Sequence, residues 1–182
     1  IPSIRPEGLN DRAIDIIAKV RRSSMTFAPE AGSERLRRVI NKNMDVEALL
    51  DTIGRVFRSG WRTVKLYFMI GLPTETEEDL KAICEFSARA SKIARQNRGK
   101  LNVSISPFVP KPFTPFAWEA QDSPEELNRK LDFLRENMPR KKVKMLGRNP
   151  ELSRIECILS RGDRRLGRAL LEIWKRKGGL DA

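Results

Sequence analysis

The residues that could do chemistry are concentrated in four loops, at residues 5–8, 28–33, 71–75 and 106–115. All four contain proline, three contain glycine, and three carry an acidic residue beside a small or hydroxyl residue. Such loops can hold a polar ligand through backbone groups and carboxylates. For any single loop, the simpler interpretation is that Pro and Gly turn the chain. Four such loops at the same end of successive strands favour a ligand-binding face.

The chemistry open to these loops is limited by two residue types. Histidine is absent, which excludes Ser-His-Asp triads, Cys-His pairs and His-ligated zinc. The two cysteines, Cys84 and Cys157, belong to no C-x-x-C cluster and indicate reduced thiols in a cytoplasmic protein. No apolar run approaches the roughly 18 residues of a membrane span, and no signal peptide is evident.

The loops follow apolar, β-rich runs that recur at a fixed interval. Three runs begin near Met25, Thr63 and Leu101, 38 residues apart. Apolar residues at helical spacing lie between them, and a shorter strand and helix precede the first run. The predicted strands are near Ile4 and at residues 25–28, 64–70 and 103–106, and the predicted helices are at 11–20, 46–59 and 75–97. This alternation predicts a parallel sheet in sequential order with right-handed crossovers.

The predicted fold class is α/β, a partial TIM-type barrel of about four parallel βα units with a helical basic C-terminal extension. A small open sheet is the alternative for these βα units. The largely apolar strand at residues 64–70 suggests a sheet covered on both faces. Active sites in such folds lie at the C-terminal ends of the strands, where the four loops fall. We predict a barrel part at residues 1–120 and an extension at 121–182. In the extension, 140–144 is a possible short strand, and helices begin at Ser123, Glu151 and Arg164.

The extension is strongly basic. Residues 139–182 hold 13 Lys and Arg against 5 Asp and Glu, in a chain of net charge +12. This imbalance suggests a polyanionic partner such as RNA, although a solvated basic surface is an equal alternative. The candidate nucleic-acid contacts are Arg140, Lys141, Lys142, Lys144, Arg161, Arg164, Arg165 and Arg168.

Three segments resemble the fourth, fifth and sixth strands of radical SAM enzymes. They are FAPEAGSERL (residues 27–36) with INK (40–42), YFMIGLPTET (67–76) and SPFVPKPFTP (106–115). The likeness is greatest to the cobalamin-binding-domain group of that superfamily, and it extends through the tail segments SRIE (153–156) and SRGDRR (160–165). The resemblance covers nearly the whole chain and implies a partial TIM barrel that binds S-adenosylmethionine across its strand ends.

The resemblance also implies roles for single residues. Glu30 matches the family's acceptor for the methionyl ammonium, Lys42 a donor to its carboxylate, and Ser33 a ribose or carboxylate contact. Tyr67, Met69, Ile70 and Gly71 match the wall against which adenine packs, and Val109 a further adenine contact. Glu30 has a second interpretation, as a negative charge favouring the helix at residues 33–40.

The family's C-x-x-x-C-x-x-C loop is missing from this sequence. The resemblance therefore implies that the [4Fe-4S] cluster ligands, and possibly a cobalamin domain, lie upstream of Ile1 in the same polypeptide. On this hypothesis the chain is a fragment that is inactive alone and self-associates through its exposed sheet edges. The parent enzyme would cleave S-adenosylmethionine reductively or use cobalamin to move a methyl group.

Two other hypotheses remain open. The chain could be a non-catalytic nucleic-acid-binding module that uses its basic tail, although only Trp118 and Trp174 flank that tail and no stacking ladder is evident. It could also be a half-barrel that binds a phosphorylated metabolite, but no Gly-rich phosphate loop supports this.

Overall fold

Four parallel strands form one sheet in the computed structural model, which describes residues 11–20 and 24–176. The strands are β1 (Met25–Glu30), β2 (Thr63–Ile70), β3 (Lys100–Pro107) and β4 (Val143–Gly147). They are hydrogen-bonded in the order β1-β2-β3-β4, and every pair is parallel. The predicted parallel sheet in sequential order is therefore confirmed. The predicted strand near Ile4 lies outside the described residues.

Seven helices accompany the sheet in the described part of the chain. They are α1 (Asp11–Val20), α2 (Glu34–Val39), α3 (Val46–Arg58), α4 (Glu77–Gln96), α5 (Pro124–Asn137), α6 (Pro150–Arg161) and α7 (Leu166–Lys175). Side chains just before the longer helices explain where they begin. Asp45 accepts from the N–H groups of Glu47 and Ala48, and Ser123 accepts from that of Glu126. Thr76 and Asp79 form a capping box at the start of α4.

Residues on one face of the sheet form the main core. In β2, Val64, Leu66, Phe68 and Ile70 are buried, whereas Lys65, Tyr67 and Met69 between them are not. The buried face packs against apolar side chains of α3, α4 and α5. Each fully buried Leu, Ile or Phe contributes about 1.5–3 kcal/mol to stability. The expectation of a sheet covered on both faces is wrong for the described residues, because alternate side chains of β2 stay accessible.

The other face, which we call the open face, is mostly polar. Lys65, Asn102 and Lys144 lie side by side in register on β2, β3 and β4, and Tyr67 lies beside Ser104. These residues are half-buried or exposed. The alternation of buried and accessible positions is not evident in the sequence of β2, because this strand is largely apolar and contains one lysine.

The sheet extends further along the chain than residue 120, the predicted end of the barrel part. α5 contributes Leu127, Leu131 and Leu134 to the main core, and β4 pairs with β3. The fold is thus α/β with a parallel sheet, consistent with a partial TIM-type unit. Among the described helices, none combines the length and apolarity needed to cross a membrane.

Candidate ligand site at the carboxyl edge of the sheet

Three loops meet where β1, β2 and β3 end, at what we call the carboxyl edge. Their apolar residues form a small core of their own. Ala31 and Leu36 follow β1, Leu72 follows β2 and Phe108 follows β3, with Met69 and Phe116 packed against them. The rings of Phe108 and Phe116 meet edge to face with centroids 6.0 Å apart. This cluster fixes the loops relative to one another, which a shared ligand site requires.

Glu30 and Lys42 come together at this edge. Glu30 is the last residue of β1, and the Lys42 ammonium lies 3.6 Å from its Oε1 atom. Both side chains remain accessible, with relative exposures of 28% for Glu30 and 38% for Lys42. The 3.6 Å separation exceeds the usual length of a hydrogen bond, so both charged groups retain capacity for another partner.

Glu30 has an unfavourable backbone conformation, and burial disfavours the charged form of its side chain. Its φ angle of 68° is in the left-handed region, which costs a non-glycine residue about 1–2 kcal/mol. Burial raises the pKa of Glu30 above its ordinary value, and the neighbouring Lys42 ammonium only partly opposes this. Strained and destabilised side chains of this kind cluster at functional sites. The competing interpretation as a helix charge is weak, because α2 has its own first-turn acid, Glu34.

Ser33 is already engaged within the protein. Its hydroxyl donates to Asp79 Oδ1 and accepts from the N–H of Leu36, so it caps α2. Asp79 also accepts from Arg35 and from the backbone and hydroxyl of Thr76. Burial would raise the pKa of Asp79, but these hydrogen bonds outweigh it and hold the pKa low. Ser33 therefore joins the loops after β1 and β2 rather than offering a free hydroxyl.

Close backbone contact reinforces this junction. A Cβ atom on Gly32 would lie 2.3 Å from the backbone nitrogen of Ile83, so the loop after β1 touches the start of α4 directly. Arg37, which is 3% exposed, donates to the carbonyl oxygens of Ala31 at 3.1 Å and Gly32 at 2.7 Å. The loop that carries Glu30 is thus held rigidly.

A buried ion triad fixes the loop after β2. Glu75 Oε2 accepts from the N–H of Gly71 at 2.8 Å and from Lys130 at 2.8 Å. Lys130 also donates to Asp122 at 2.7 Å. The side chains of Glu75 and Lys130 are only 2% and 9% exposed.

The triad has one ammonium for two carboxylates. Burial raises the pKa of Glu75, since its Oε1 atom is buried without a hydrogen-bond partner in the described structure. Burial alone would lower the pKa of Lys130, but the hydrogen bonds that Lys130 donates to Asp122 and Glu75 raise it. Lys130 therefore stays charged and anchors the loop.

The residues predicted to form the adenine wall divide between the two faces. Tyr67, 39% exposed, and the half-buried Met69 lie on the open face and present an aromatic and a thioether surface. Ile70 is fully buried in the main core, and its carbonyl accepts from the N–H of Phe108 at 2.8 Å. The Ile70 side chain therefore cannot contact a ligand. The N–H of Gly71 is taken by Glu75, and Val109 is half-buried in the loop after β3.

The residues present do not fit an iron–sulfur cluster. Such clusters are held by cysteine thiolates, usually four, and this chain has two cysteines. Cys84 is buried in α4, and burial raises the pKa of its thiol to about 11, which disfavours the thiolate. No group of three Cys, Asp or Glu side chains in the described residues could hold a metal ion.

The basic residues proposed as one nucleic-acid surface lie at opposite ends of the sheet. Arg140, Lys141 and Lys142 precede β4 and lie at the amino edge, where the strands begin. Arg161 donates to the carbonyl of Glu119, beyond the end of β3, and Arg165 pairs with Asp163. Arg164 precedes α7 and Arg168 lies within it, and both are exposed, whereas Lys144 lies on the open face.

The contacts that support the site could not be predicted from the sequence. Asp79, Glu75, Lys130 and Asp122 bring the loops together, but three of them resemble ordinary helix-terminal or surface charges in the sequence. The apolar positions around Lys130, such as Leu127, Leu131 and Leu134, place this lysine beside the buried stripe of α5. That position was the one signal in the sequence that Lys130 is buried.

Comparison with known proteins points to one superfamily. The model of the Radical SAM superfamily matches residues 1–87, just under half of the chain. An uncharacterized protein of Methanocaldococcus jannaschii is 33% identical over 168 residues. That alignment includes 92% of this chain and 36% of the relative. The chain thus spans little more than a third of the relative's length.

Two solved structures align with parts of this chain at low similarity. The spore cortex-lytic enzyme SleL of Bacillus megaterium aligns with 79% of this chain and 41% of its own, at 17% identity and a TM-score of 0.36. A sugar phosphate isomerase/epimerase from Parabacteroides distasonis aligns with 82% of this chain and 67% of its own, at 10% identity and a TM-score of 0.38.

Proposed function

We propose that this chain is part of a radical SAM enzyme and contributes the wall that holds S-adenosylmethionine. The observation that carries the proposal is the Glu30–Lys42 pair at the carboxyl edge, inside a segment that matches the superfamily model. The match to the superfamily model supports membership of the superfamily, and the Glu30–Lys42 pair supplies charged groups that could bind the cofactor.

The pair suits the methionyl end of the cofactor. That end is a zwitterion, so it needs one acceptor for its ammonium group and one donor for its carboxylate. Glu30 would accept from the ammonium, and Lys42 would donate to the carboxylate. A ligand ammonium beside Glu30 would also counteract the effect of burial, which raises the pKa of this carboxyl group.

Adenine would pack against the open face beside the same loops. Tyr67 and Met69 offer accessible aromatic and thioether surfaces there, and Val109 follows β3. The apolar cluster of Leu36, Leu72 and Phe108 would hold these surfaces at a constant distance from Glu30. Ser33 would act through the loop geometry that it stabilises.

The cluster and the chemistry would come from other parts of the enzyme. A [4Fe-4S] cluster supplies the electron for reductive cleavage of the cofactor in this superfamily, and its cysteine ligands would lie outside these residues. Cobalamin-dependent methyl transfer is the alternative reaction. The chain spans 36% of its relative, so the remainder of such a protein is long enough to supply further domains.

Substitution of Glu30 tests the proposal. In the cluster-containing protein, Glu30→Gln should weaken S-adenosylmethionine binding several-fold, because a charge-assisted hydrogen bond is stronger than a neutral one by about 1 kcal/mol. Glu30→Ala should weaken it more. The matched control is Glu34→Gln, which removes an exposed carboxylate four residues away. Calorimetric titration in which both Glu30 variants bind like the control would contradict the proposal.

A second candidate is a non-catalytic nucleic-acid-binding module. The exposed Arg164, just before the amphipathic helix α7, and the exposed Arg168, within α7, favour it. Under this hypothesis, Arg164→Gln with Arg168→Gln should weaken binding of a single-stranded RNA, and Glu30→Gln should have no effect on any ligand. Wild-type RNA affinity in the double arginine variant would exclude Arg164 and Arg168 as the contacts.

A further inference from the structure

A groove lined by cations lies at the amino edge of the sheet, at the opposite end of the strands from Glu30. Its volume is about 680 Å³. It lies between the last two turns of α4 and the segment that leads into β4. Its charged lining residues are Lys92, Arg95, Arg140 and Lys141, and Ser91 and Gln96 add polar groups. This size is typical of sites for small ligands, which span roughly 300–1,000 Å³.

The groove contains positive charge and no negative charge. None of its lining residues is acidic, and residues 86–118 and 137–150 contain no Asp or Glu. In the described structure, no carboxylate lies within 4.0 Å of the four cations, whereas Arg89 on the same helix pairs with Glu47. Like charges held together in a concavity repel one another, and a bound anion relieves that repulsion.

The backbone of the segment that forms one wall of the groove is held in place before any ligand binds. The hydroxyl of Ser91 donates to the carbonyl of Lys141 at 2.8 Å, so the segment is tied to α4. Met138, 6% exposed, anchors one end of the segment in the core. The N–H of Leu101 donates to the carbonyl of Lys142 at 2.9 Å and anchors the other end. Such preorganisation lowers the entropy cost of binding.

The four cations come from two different elements that line opposite sides of the groove. Lys92 and Arg95 are three residues apart on α4, so they share one helical face. Arg140 and Lys141 form the opposite wall. Lys and Arg are the residues that contact phosphate oxygens most often, and Arg does so with two parallel hydrogen bonds.

We propose that this groove binds two neighbouring phosphate groups. These could belong to a pyrophosphate ester or to the backbone of a nucleic acid. The site shares Arg140 and Lys141 with the basic tail predicted from the sequence, but Lys92 and Arg95 come from α4 and carry half of its charge. The Arg161–Arg168 region is not part of it. The proposal is independent of S-adenosylmethionine binding at the other edge.

The test uses two ligands and one double variant of the full chain. Pyrophosphate and a single-stranded RNA of mixed sequence are titrated against the wild type, Lys92→Gln with Arg95→Gln, and a control that combines Lys81→Gln with Arg129→Gln. The control removes the same charge at exposed positions that are paired with carboxylates in α4 and α5.

Loss of two phosphate contacts should lower RNA affinity roughly 20-fold at 0.1 M salt and reduce the slope of log K against log salt by about 1.4. If only pyrophosphate binds, and the groove variant alone weakens it, the ligand is a small phosphate ester. If RNA binds and the groove variant alone weakens it, the ligand is a nucleic acid. Absence of binding to either ligand, or equal weakening by the control, would overturn the proposal.

Discussion

The charged side chains at the two edges of the sheet differ in burial and in pairing. At the carboxyl edge, charged side chains are buried and paired, as in the Glu75–Lys130–Asp122 triad and around Asp79. At the amino edge, Lys92, Arg95, Arg140 and Lys141 are exposed and have no carboxylate partner in the described structure. The edges are about 23 Å apart along β2.

This difference indicates that the charged side chains at the carboxyl edge position loops, whereas those at the amino edge are available to bind a partner. Pairs of buried charges stabilise a loop arrangement because breaking one leaves the other uncompensated. Unpaired surface charges contribute little to folding and remain available to a partner. We therefore expect substitutions at the carboxyl edge to change stability, and substitutions at the amino edge to change binding. Glu30 is the exception at its edge, since it is both strained and accessible.

Removal of the triad's only cation should have the largest effect. Lys130→Met leaves Glu75 and Asp122 without their ammonium, and breaking a buried ion pair costs about 3–5 kcal/mol. Urea denaturation should show this loss in the free energy of unfolding. Lys92→Met at the amino edge is the control and should change it by less than about 0.5 kcal/mol. Similar values for the two variants would contradict the contrast between the edges.

Asp79→Asn should give the next largest effect and a pH dependence. The pKa of Asp79 is lowered by its hydrogen bonds, so its charged form stabilises the fold above the pKa of the unfolded chain. The variant should lose about 1.5–3 kcal/mol at pH 7. The difference from the wild type should shrink as the pH falls through the lowered pKa. Glu85→Gln on the exposed side of α4 should show neither the loss nor the trend.

Gly32→Ala tests the contact between the loop after β1 and α4. The added methyl would lie 2.3 Å from the backbone of Ile83, so backbone must shift, at a cost of about 1–3 kcal/mol. Gly167→Ala is the control, because nothing lies within 4 Å of its added Cβ. It should be neutral or stabilise α7 by up to about 1 kcal/mol. A wild-type melting temperature for Gly32→Ala would show that this junction is loose.

The smallest effect is expected from the groove. Lys92→Gln with Arg95→Gln removes like charges that repel Arg140 and Lys141, so stability should rise by about 0.5 kcal/mol at low salt. At 1 M salt the gain should vanish, since the Debye length is then about 3 Å. A loss of stability at low salt would show that these cations have partners that hold the fold together.

The sequence predicted the framework better than the site. The 38-residue spacing and the apolar runs located β1, β2 and β3, and Ser123 located the start of α5. These signals are local, because capping and periodicity depend on residues a few positions apart. The open face was missed, since one lysine and one tyrosine do not reveal alternating burial in β2.

Long-range partners could not be predicted in the same way. The Asp79 network links residues 46 and 44 positions apart, and the Lys130–Glu75 contact links residues 55 apart. Nothing in the local sequence indicates which charge will be buried with which. The groove was missed for the same reason, because Lys92 and Arg95 meet Arg140 and Lys141 only after the sheet forms.

The most direct test of the central claim is a residue-resolved NMR titration of the chain with S-adenosylmethionine. We predict shifts of the amide signals of Glu30, Lys42, Met69 and Val109 at the carboxyl edge, with weaker binding in Glu30→Gln. The signals of Lys92, Arg95 and Lys141 at the amino edge should not move. Shifts confined to the amino edge, or no shift at the carboxyl edge at millimolar ligand, would contradict the proposed cofactor wall.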